Sequence, residues 1–460
     1  MDCMKIKYGQ KRKVMSILLF CLFSLLPMKA QQSYTLRQLT DSALQNNFAI
    51  RSAQAGVAVA QEQRREAFTK YFPNVSAVGV TFNANRGMAK MDIDPSALIS
   101  PEMGATLAQI LPPEALAAMA NPMSMTMMKN GTIASVTAMQ PVFAGGQIVN
   151  GNRLAKVGEE VAQLQLQLSE NEVEKTVSEY YWQLVSLREK QKTLAAVEAL
   201  LGDLHKDADV AVRAGVALRN DQLQVELRQN DIQSQKIKLQ NGIDIVKLLL
   251  GQYTGIAHDF DIIAPDTAQQ EHLLPSPPEE VAGVRLLPEY QLLGKQVEAA
   301  KLQKKMAVGQ NLPSVAVGAG YNYHNLLKNN RTFAMVMATV SIPISNWWGG
   351  SHAINRRKIE YQKAIDEQQD KSELLRIRMK NAWNSVCESR QQMEIAQHSI
   401  EQAKENLRLN RDFYRAGTSR MSDLLEAQLL YQQALDRHIE AYAEHQLKLL
   451  EYKQAAGIGD

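Results

Sequence analysis

Asp423 and Glu426 lie three residues apart, shortly past Gly417. On a helix that spacing puts both carboxylates on one face. Such a pair can hold a cation, share a proton, or stabilise the N-terminus of its own helix. Asp221 occupies the equivalent place 202 residues earlier, but the next acid there is Glu226, so the pair is not reproduced. A second cluster is Met123, Met125, Met127 and Met128, whose thioethers suit Cu(I) or Ag(I). It falls in the run 86–131, which holds eight of the 19 Met and reads first as a helical apolar insert. The eight His form no close ligand pair, and His438 and His445, seven apart on a polar helix face, are expected to face water. No P-loop, dinucleotide fingerprint, nucleophile elbow or zinc signature occurs. The chain reads as a non-enzyme without a cofactor.

The elements that must carry these residues occur twice. The order is helix, strand, loop, strand, two-Gly turn, very long helix, Arg-Ala-Gly turn, helix. Pro73 matches Pro313 at an offset of 240, and Asn47 falls opposite Leu287. Gly145-Gly146 match Gly349-Gly350 at 204, and Arg213-Ala214-Gly215 match Arg415-Ala416-Gly417 at 202. The repeats span 31–256 and 285–457, with a connector at 257–284 and a tail at 458–460. A duplicated unit of this kind builds a pseudo-symmetric wall rather than one cleft.

Residues 353–414 contain neither Pro nor Gly. Met379, Ala382, Val386, Ser389, Met393, Ala396, Ile400, Ala403 and Leu407 recur at alternating steps of three and four, a heptad seam. The same seam in the first repeat passes through Gln191, Glu198 and His205; a shift of one residue there would put Val197 in place of Glu198. A sixty-residue helix spans roughly 90 Å. Gly215 and Gly417 suit left-handed helix ends, and Asn220 and Ser422 are competent N-caps for the return helices. Periodicity alone does not choose between a soluble rod and a sheet of helices curved into a tube.

Four stretches alternate as strands: 73–83, 132–142, 312–325 and 332–344. Val315, Val317, Ala319, Tyr321 and Tyr323 share one face, and Ala334, Val336, Ala338, Val340 and Ile342 share another. These are lengths that cross a bilayer at a tilt. Four strands cannot close a barrel, so they either form a protected soluble sheet or are pooled by several chains; three chains would supply twelve. Trp347 and Trp348 suit a membrane interface, or a buried corner.

Lys5, Lys7, Lys11, Arg12 and Lys13 precede an apolar run at 14–26, and Ala30 ends a segment 1–30 that reads as an export signal. Without it Cys387 stands alone, so no internal disulfide is expected. A net charge of +3 gives no reason to expect a nucleic-acid partner.

Together these features resemble the TolC-like outer membrane efflux protein family. The resemblance rests on the two strand exits, Pro141-Val142-Phe143-Ala144-Gly145-Gly146 and Pro343 through Gly349-Gly350. It rests also on Tyr414-Arg415-Ala416-Gly417-Thr418-Ser419 leading to Asp423-Leu424-Leu425-Glu426-Ala427, and on Leu287-Pro288-Glu289-Tyr290. It implies a mainly α fold with a membrane β-barrel part: four strands per chain, a homotrimeric twelve-stranded barrel, and helical hairpins joined into an α-barrel. It implies the outer membrane of a Gram-negative bacterium, helices in the periplasm, and a passive exit duct for efflux or type I secretion. The implied partners are outer-membrane lipid, a periplasmic adaptor and an inner-membrane transporter. Asp423, Glu426, Asp221 and Tyr414 are implied at the periplasmic gate, where mutual repulsion would raise some carboxyl pKa values. Arg213, Ala214, Gly215, Arg415, Ala416 and Gly417 are implied at the adaptor-docking tips. At the place two past the tip glycine, where the family often has a basic residue, this chain has Ser419. A periplasmic adaptor, or a secreted coiled-coil structural protein, is the alternative; an adaptor has one hairpin where this chain has two.

Overall fold

The computed structural model describes residues 32–94, 99–120, 123–127, 129–257, 260–264, 282–326, 330–344 and 346–458. The export signal and most of the connector lie outside the described residues. Strand β1 (Gln32–Tyr34) leads into α1 (Leu36–Asn46) and α2 (Phe48–Thr69), then β2 (Asn74–Asn83). An insert follows: β3 (Ala89–Ile93), α3 (Pro101–Ile110), α4 (Pro113–Ala120) and β4 (Met123–Met127). Next come β5 (Asn130–Ala144), the long α5 (Gln147–Arg213), its return α6 (Arg219–Thr254), and β6 (Phe260–Ile262). The second round is α7 (Ala282–Leu286), α8 (Pro288–Gly309), β7 (Ser314–Asn325), β8 (Asn330–Ser341), the long α9 (Asn346–Arg415) and its return α10 (Met421–Ala456). The expected order of helices and strands thus occurs twice. Asn47 and Leu287 each interrupt a helix pair at the matching place. The Asn47 side chain accepts from the Ala49 amide at 2.8 Å and donates to the Tyr253 carbonyl at 2.9 Å, so it starts α2 as an N-cap.

The chain divides into two compact units, and each draws on both repeats. One, residues 58–161 and 293–368, holds an antiparallel sheet in the order β2-β5-β7-β8. Val315 faces Val340, Val317 faces Ala338, Ala319 faces Val336 and Tyr321 faces Ala334, so the two expected apolar faces merge into one. β5 and β2 continue it through Ala138, Val136, Val75 and Ala77. On the opposite face Gly318 lies beneath the Met139 thioether, which leaves no room for a side chain there. Val75, Val317, Tyr321, Val336 and Val340 are exposed in the single chain. A bulge falls between Pro141 and Phe143, where a residue without an amide hydrogen costs the ladder nothing. The outer edges of β2 and β8 have no strand partner among the described residues. The run 86–131 is a β3–β4 hairpin topped by α3 and α4, so it is helical only in part.

The two Gly-Gly pairs behave differently. Gly145 and Gly146 have φ of 59° and 76° and form the expected turn. Gly349 and Gly350 lie inside α9 with ordinary helical backbone, so the second turn is not there. Gly350 instead clears space for the Asn311 side chain, while Gly145 abuts the backbone of Gly309.

The other unit, described over 32–57, 162–257, 260–264, 282–292 and 369–458, holds both helical hairpins and the small parallel pair β1–β6. One core cluster gathers Val177, Tyr181, Trp182, Leu184, Ile243, Leu250, Phe260 and Tyr442; a second joins Leu201, Leu204, Val225, Ile232, Met421 and Leu424. The α9 seam buries Met379, Val386, Ser389 and Ala396 as expected. In α5 the seam slips by one residue. Val197 and Leu204 are buried, whereas Glu198 pairs with Lys236 at 2.7 Å and His205 with Glu226 at 3.3 Å at the rim. His445 is fully buried, with Ser389 Oγ 3.0 Å from its Nδ1, and burial pushes the His438 pKa down. His445 thus does not face water as expected, and His438, one heptad earlier on the same face of α10, is half-buried.

Two stability measurements test this packing. Leu204→Ala should cost about 2–5 kcal/mol, and His205→Ala under about 1 kcal/mol; the reverse order in denaturant melts would restore the unshifted seam. Gly145→Ala adds backbone collision to a left-handed φ and should cost about 2–4 kcal/mol. Gly215→Ala meets open space and should cost about 1–2 kcal/mol. Equal losses at the two glycines would remove the Gly145–Gly309 contact as a cause.

Candidate functional site

The residues singled out by sequence gather at the hairpin tips of the helical unit. Each long helix ends in the same double hydrogen bond. Gly215 N–H donates to the Val212 carbonyl and Val216 N–H to that of Ala211, both at 3.0 Å. Gly417 N–H donates to Tyr414 at 3.0 Å and Thr418 N–H to Phe413 at 2.9 Å. Gly215 and Gly417 have φ of 75° and 74°, which only glycine adopts without strain, and these are Schellman ends. Arg213 pairs with Asp209 on its own helix, while Ala214, Arg415 and Ala416 are exposed.

The return helices begin two residues earlier than expected. Their N-caps are Leu218 and Arg420, not Asn220 and Ser422. Neither cap offers a short polar side chain; α6 has no side-chain cap, whereas in α10 the third helical residue, Asp423, reaches back to the N-cap amide. Asp423 accepts from the Arg420 amide, Ser419 Oγ and Ser422 Oγ, each at 3.2 Å. The Arg420 amide, then the two hydroxyls, hold its carboxyl below the ordinary range. In the chain alone Asp423 is therefore a capped, ionised acid. Glu426 is exposed.

Tyr414 is half-buried against the second core cluster. Burial first, then the negative charges of Asp221 and Asp207, push its phenol pKa up. The structure thus brings Tyr414 of one hairpin to Asp221 of the other, and adds Asp207. Asp207 left no sequence signal beyond one more exposed acid on α5. Just inside the tips, half-buried Arg228 of α6 donates to Gln428 and Gln432 of α10 at 3.4 and 3.2 Å. The first tip also exposes Val216 and Leu218, by 80% and 71%, where the second has Thr418 and Arg420. Two apolar residues in a turn were the available clue.

Other expected residues lie elsewhere. Trp348 is 77% exposed near the start of α9, in the sheet unit. The Trp347 side chain, those of Met123, Met125 and Met127, and the whole of Met128 are outside the described residues. No helix among the described residues is long and apolar enough to cross a membrane.

The family described as outer membrane efflux protein matches residues 293–457. No curated protein sequence matches. Among solved structures, CusC aligns with a TM-score of 0.77 at 13% identity over 93% of each chain. The outer-membrane channel OprN aligns at 0.74 and 15%, over 92% of this chain and 90% of its own. The outer membrane protein VceC of Vibrio cholerae aligns at 0.70 and 15%, over 92% and 96%. The fold is therefore that of TolC-like outer-membrane channels, and the second repeat carries the efflux-protein sequence pattern. The resemblance drawn from sequence holds.

The capping role of Asp423 has a measurable sign. A depressed carboxyl pKa contributes stability above the ordinary value of 3.8, which is lost as pH falls through the lowered value. At neutral pH, Asp423→Ala should speed amide exchange over residues 421–424. The difference from the parent chain should shrink as the solution becomes more acidic than the ordinary carboxyl range. A difference that persists unchanged in strong acid would show that the charge does not hold the cap.

Proposed function

We propose that the chain is the outer-membrane exit channel of a tripartite efflux or type I secretion system. It carries out no chemistry. An inner-membrane transporter supplies the energy, and a periplasmic adaptor joins transporter to channel. The supporting observation is the four-stranded sheet: one continuous apolar face exposed, and both outer edges without a strand partner among the described residues. Backbone edges cannot remain open in lipid, and four strands are too few to close. Three copies supply twelve, β8 of each pairing with β2 of the next, in the outer membrane of a Gram-negative bacterium. Trp347 and Trp348 then lie at the interface at the foot of the strands. The repeats 31–256 and 285–457 each contribute a strand pair and a periplasmic hairpin.

The tips carry the remaining parts. Arg213, Ala214, Gly215, Arg415, Ala416 and Gly417 receive the adaptor, and exposed Val216 and Leu218 give the first tip an apolar foothold. Asp423, Glu426, Asp221 and Tyr414 form the gate. Threefold symmetry gathers copies of the exposed Asp423 and Glu426 around one axis. Their mutual repulsion works against the local cap that lowers Asp423, and favours bound cations. Tyr414 near Asp221 ties one hairpin to the other.

The tests are fractionation and conductance. The protein should be recovered from the outer membrane as trimers that dissociate on heating, and should conduct in a planar bilayer. A native chain that stays monomeric and avoids lipid would end the channel reading. The Asp423→Asn/Glu426→Gln variant, and separately Tyr414→Phe, should leak more in the closed state. Trimers of both variants that conduct as the parent does would remove these residues from the gate.

A further inference from the structure

The two helix-to-strand corners of the sheet unit share a backbone plan and differ in chemistry. Between α2 and α5, beside the start of β2, lies a groove of about 840 Å³ lined by Arg64, Arg65, Phe68, Tyr71, Arg153 and Lys156, among others. The Phe68 ring lies 5.7 Å from Tyr71 and 5.6 Å from Phe72, and all three rings are exposed. Glu159 in the groove is taken by Arg64 at 2.8 Å, and Arg65 pairs with Glu62 at 2.7 Å. Lys156 approaches Glu160 only to 3.7 Å, because Lys295 holds that carboxylate at 2.6 Å. The Lys295 contact is also what chiefly lowers the Glu160 pKa. Arg153 is exposed and makes no ion pair among the described residues.

The second repeat is an internal control. At the offset of 204, Arg153 corresponds to Arg357 and Lys156 to Glu360. Arg357 is consumed: it donates to Gln303 at 2.8 Å and to Glu360 at 2.7 Å. At the offset of 240, Phe68, Tyr71 and Phe72 correspond to Val308, Asn311 and Leu312. In the second corner the matching arginine is paired and the three ring positions hold Val308, Asn311 and Leu312, while its own cation Lys304 lies over the Tyr361 ring at 5.1 Å. In the other a lysine replaces the carboxylate, an arginine is released, and three exposed rings stand beside it. Folding of the corner requires neither change, since the second copy folds without them.

Exposed rings beside Arg153, which has no ion pair among the described residues, and Lys156, whose one carboxylate is held more closely by Lys295, match the headgroup region of a bilayer when they lie within a few residues of a strand of membrane length. Aromatic side chains concentrate at that depth, and basic pockets there take anionic headgroups. A guanidinium meets two phosphate oxygens in one plane. We propose that this groove binds the phosphodiester of an anionic phospholipid, Arg153 and Lys156 holding the phosphate while Phe68, Tyr71 and Phe72 rest against the acyl-chain ends. The proposal rests on reading the strands as membrane-crossing. The groove would then fix the depth of the barrel on its helical side, once per chain rather than once per repeat.

The test is native mass spectrometry of the full-length protein in mixed micelles with phosphatidylglycerol or phosphatidylcholine. The parent chain should retain phosphatidylglycerol in preference, and Arg153→Gln/Lys156→Gln should lose roughly fivefold for each cation removed. Lys304→Gln/Lys305→Gln in the second corner should retain as the parent does. Free glycerol phosphate at millimolar concentration should not displace the lipid. Displacement by it would mean that the groove reads a soluble phosphate ester and would overturn the lipid assignment. Equal retention of the two lipids, or no loss in the groove variant, would overturn it too. Planar-bilayer conductance, run on every variant, separates the two readings: channels that conduct without lipid preference sink only this proposal, whereas absence of insertion sinks the channel.

Discussion

The outer edges of β2 and β8 impose the constraint from which the rest follows. A strand edge is a row of donors and acceptors that must be satisfied, by water, by another strand or by cover. Here the sheet is also apolar on one continuous face, from Val75 across to Val340. Water can satisfy the edges but not that face, and lipid can accept that face but not the edges. Only further strands in the same plane resolve both. A chain with two different edges meets its own copies head to tail, and such a contact closes when the rotation divides a full turn. In the proposed ring, the working cavity belongs to the assembly and not to the single chain.

Duplication simplifies the construction of such a ring but does not make the copies interchangeable. The paired helices, strand lengths and Schellman tips repeat closely. The details do not. Gly145 and Gly146 form a left-handed turn against Gly309, whereas Gly349 and Gly350 are helical and make space for Asn311. The same letters in the two repeats thus meet different requirements, one of backbone conformation and one of clearance.

Most of the architecture was legible because its signals are periodic or conformationally obligatory. Alternation located all four long strands, and the cross-strand pairs join the very faces that alternation marked. Gly215 and Gly417 were readable as helix ends because few other residues adopt their φ. What could not be read depended on partners distant in sequence. The α5 seam slips to Val197 and Leu204 because α6 supplies Lys236 and Glu226 for the polar residues at its rim. His445 is buried because α9 presents Ser389 to it. The N-caps were misplaced because Asn220 and Ser422 look competent, while α6 starts without a side-chain cap and α10 is capped from inside the helix by Asp423. The proximity of Asp207 and Asp221 to Tyr414 likewise depends on how two hairpins meet, which no local pattern encodes.

The divergence between repeats follows a physical logic. In a ring of three duplicated chains, identical repeats would give sixfold equivalence, and every hairpin would have to do every task. Substitutions break that equivalence cheaply when they fall on surfaces and leave the shared backbone alone. The first tip exposes Val216 and Leu218 where the second carries Thr418 and Arg420. The first return helix sends Arg228 across to two glutamines of the second. A guanidinium bonded to neutral amides gives orientation without the large penalty of separating a buried ion pair. Such a contact suits two hairpins that must hold one arrangement and be able to leave it. On the proposed reading, the contrasts at the two tips and at Arg228 fall where docking and opening would require the two halves to behave unequally.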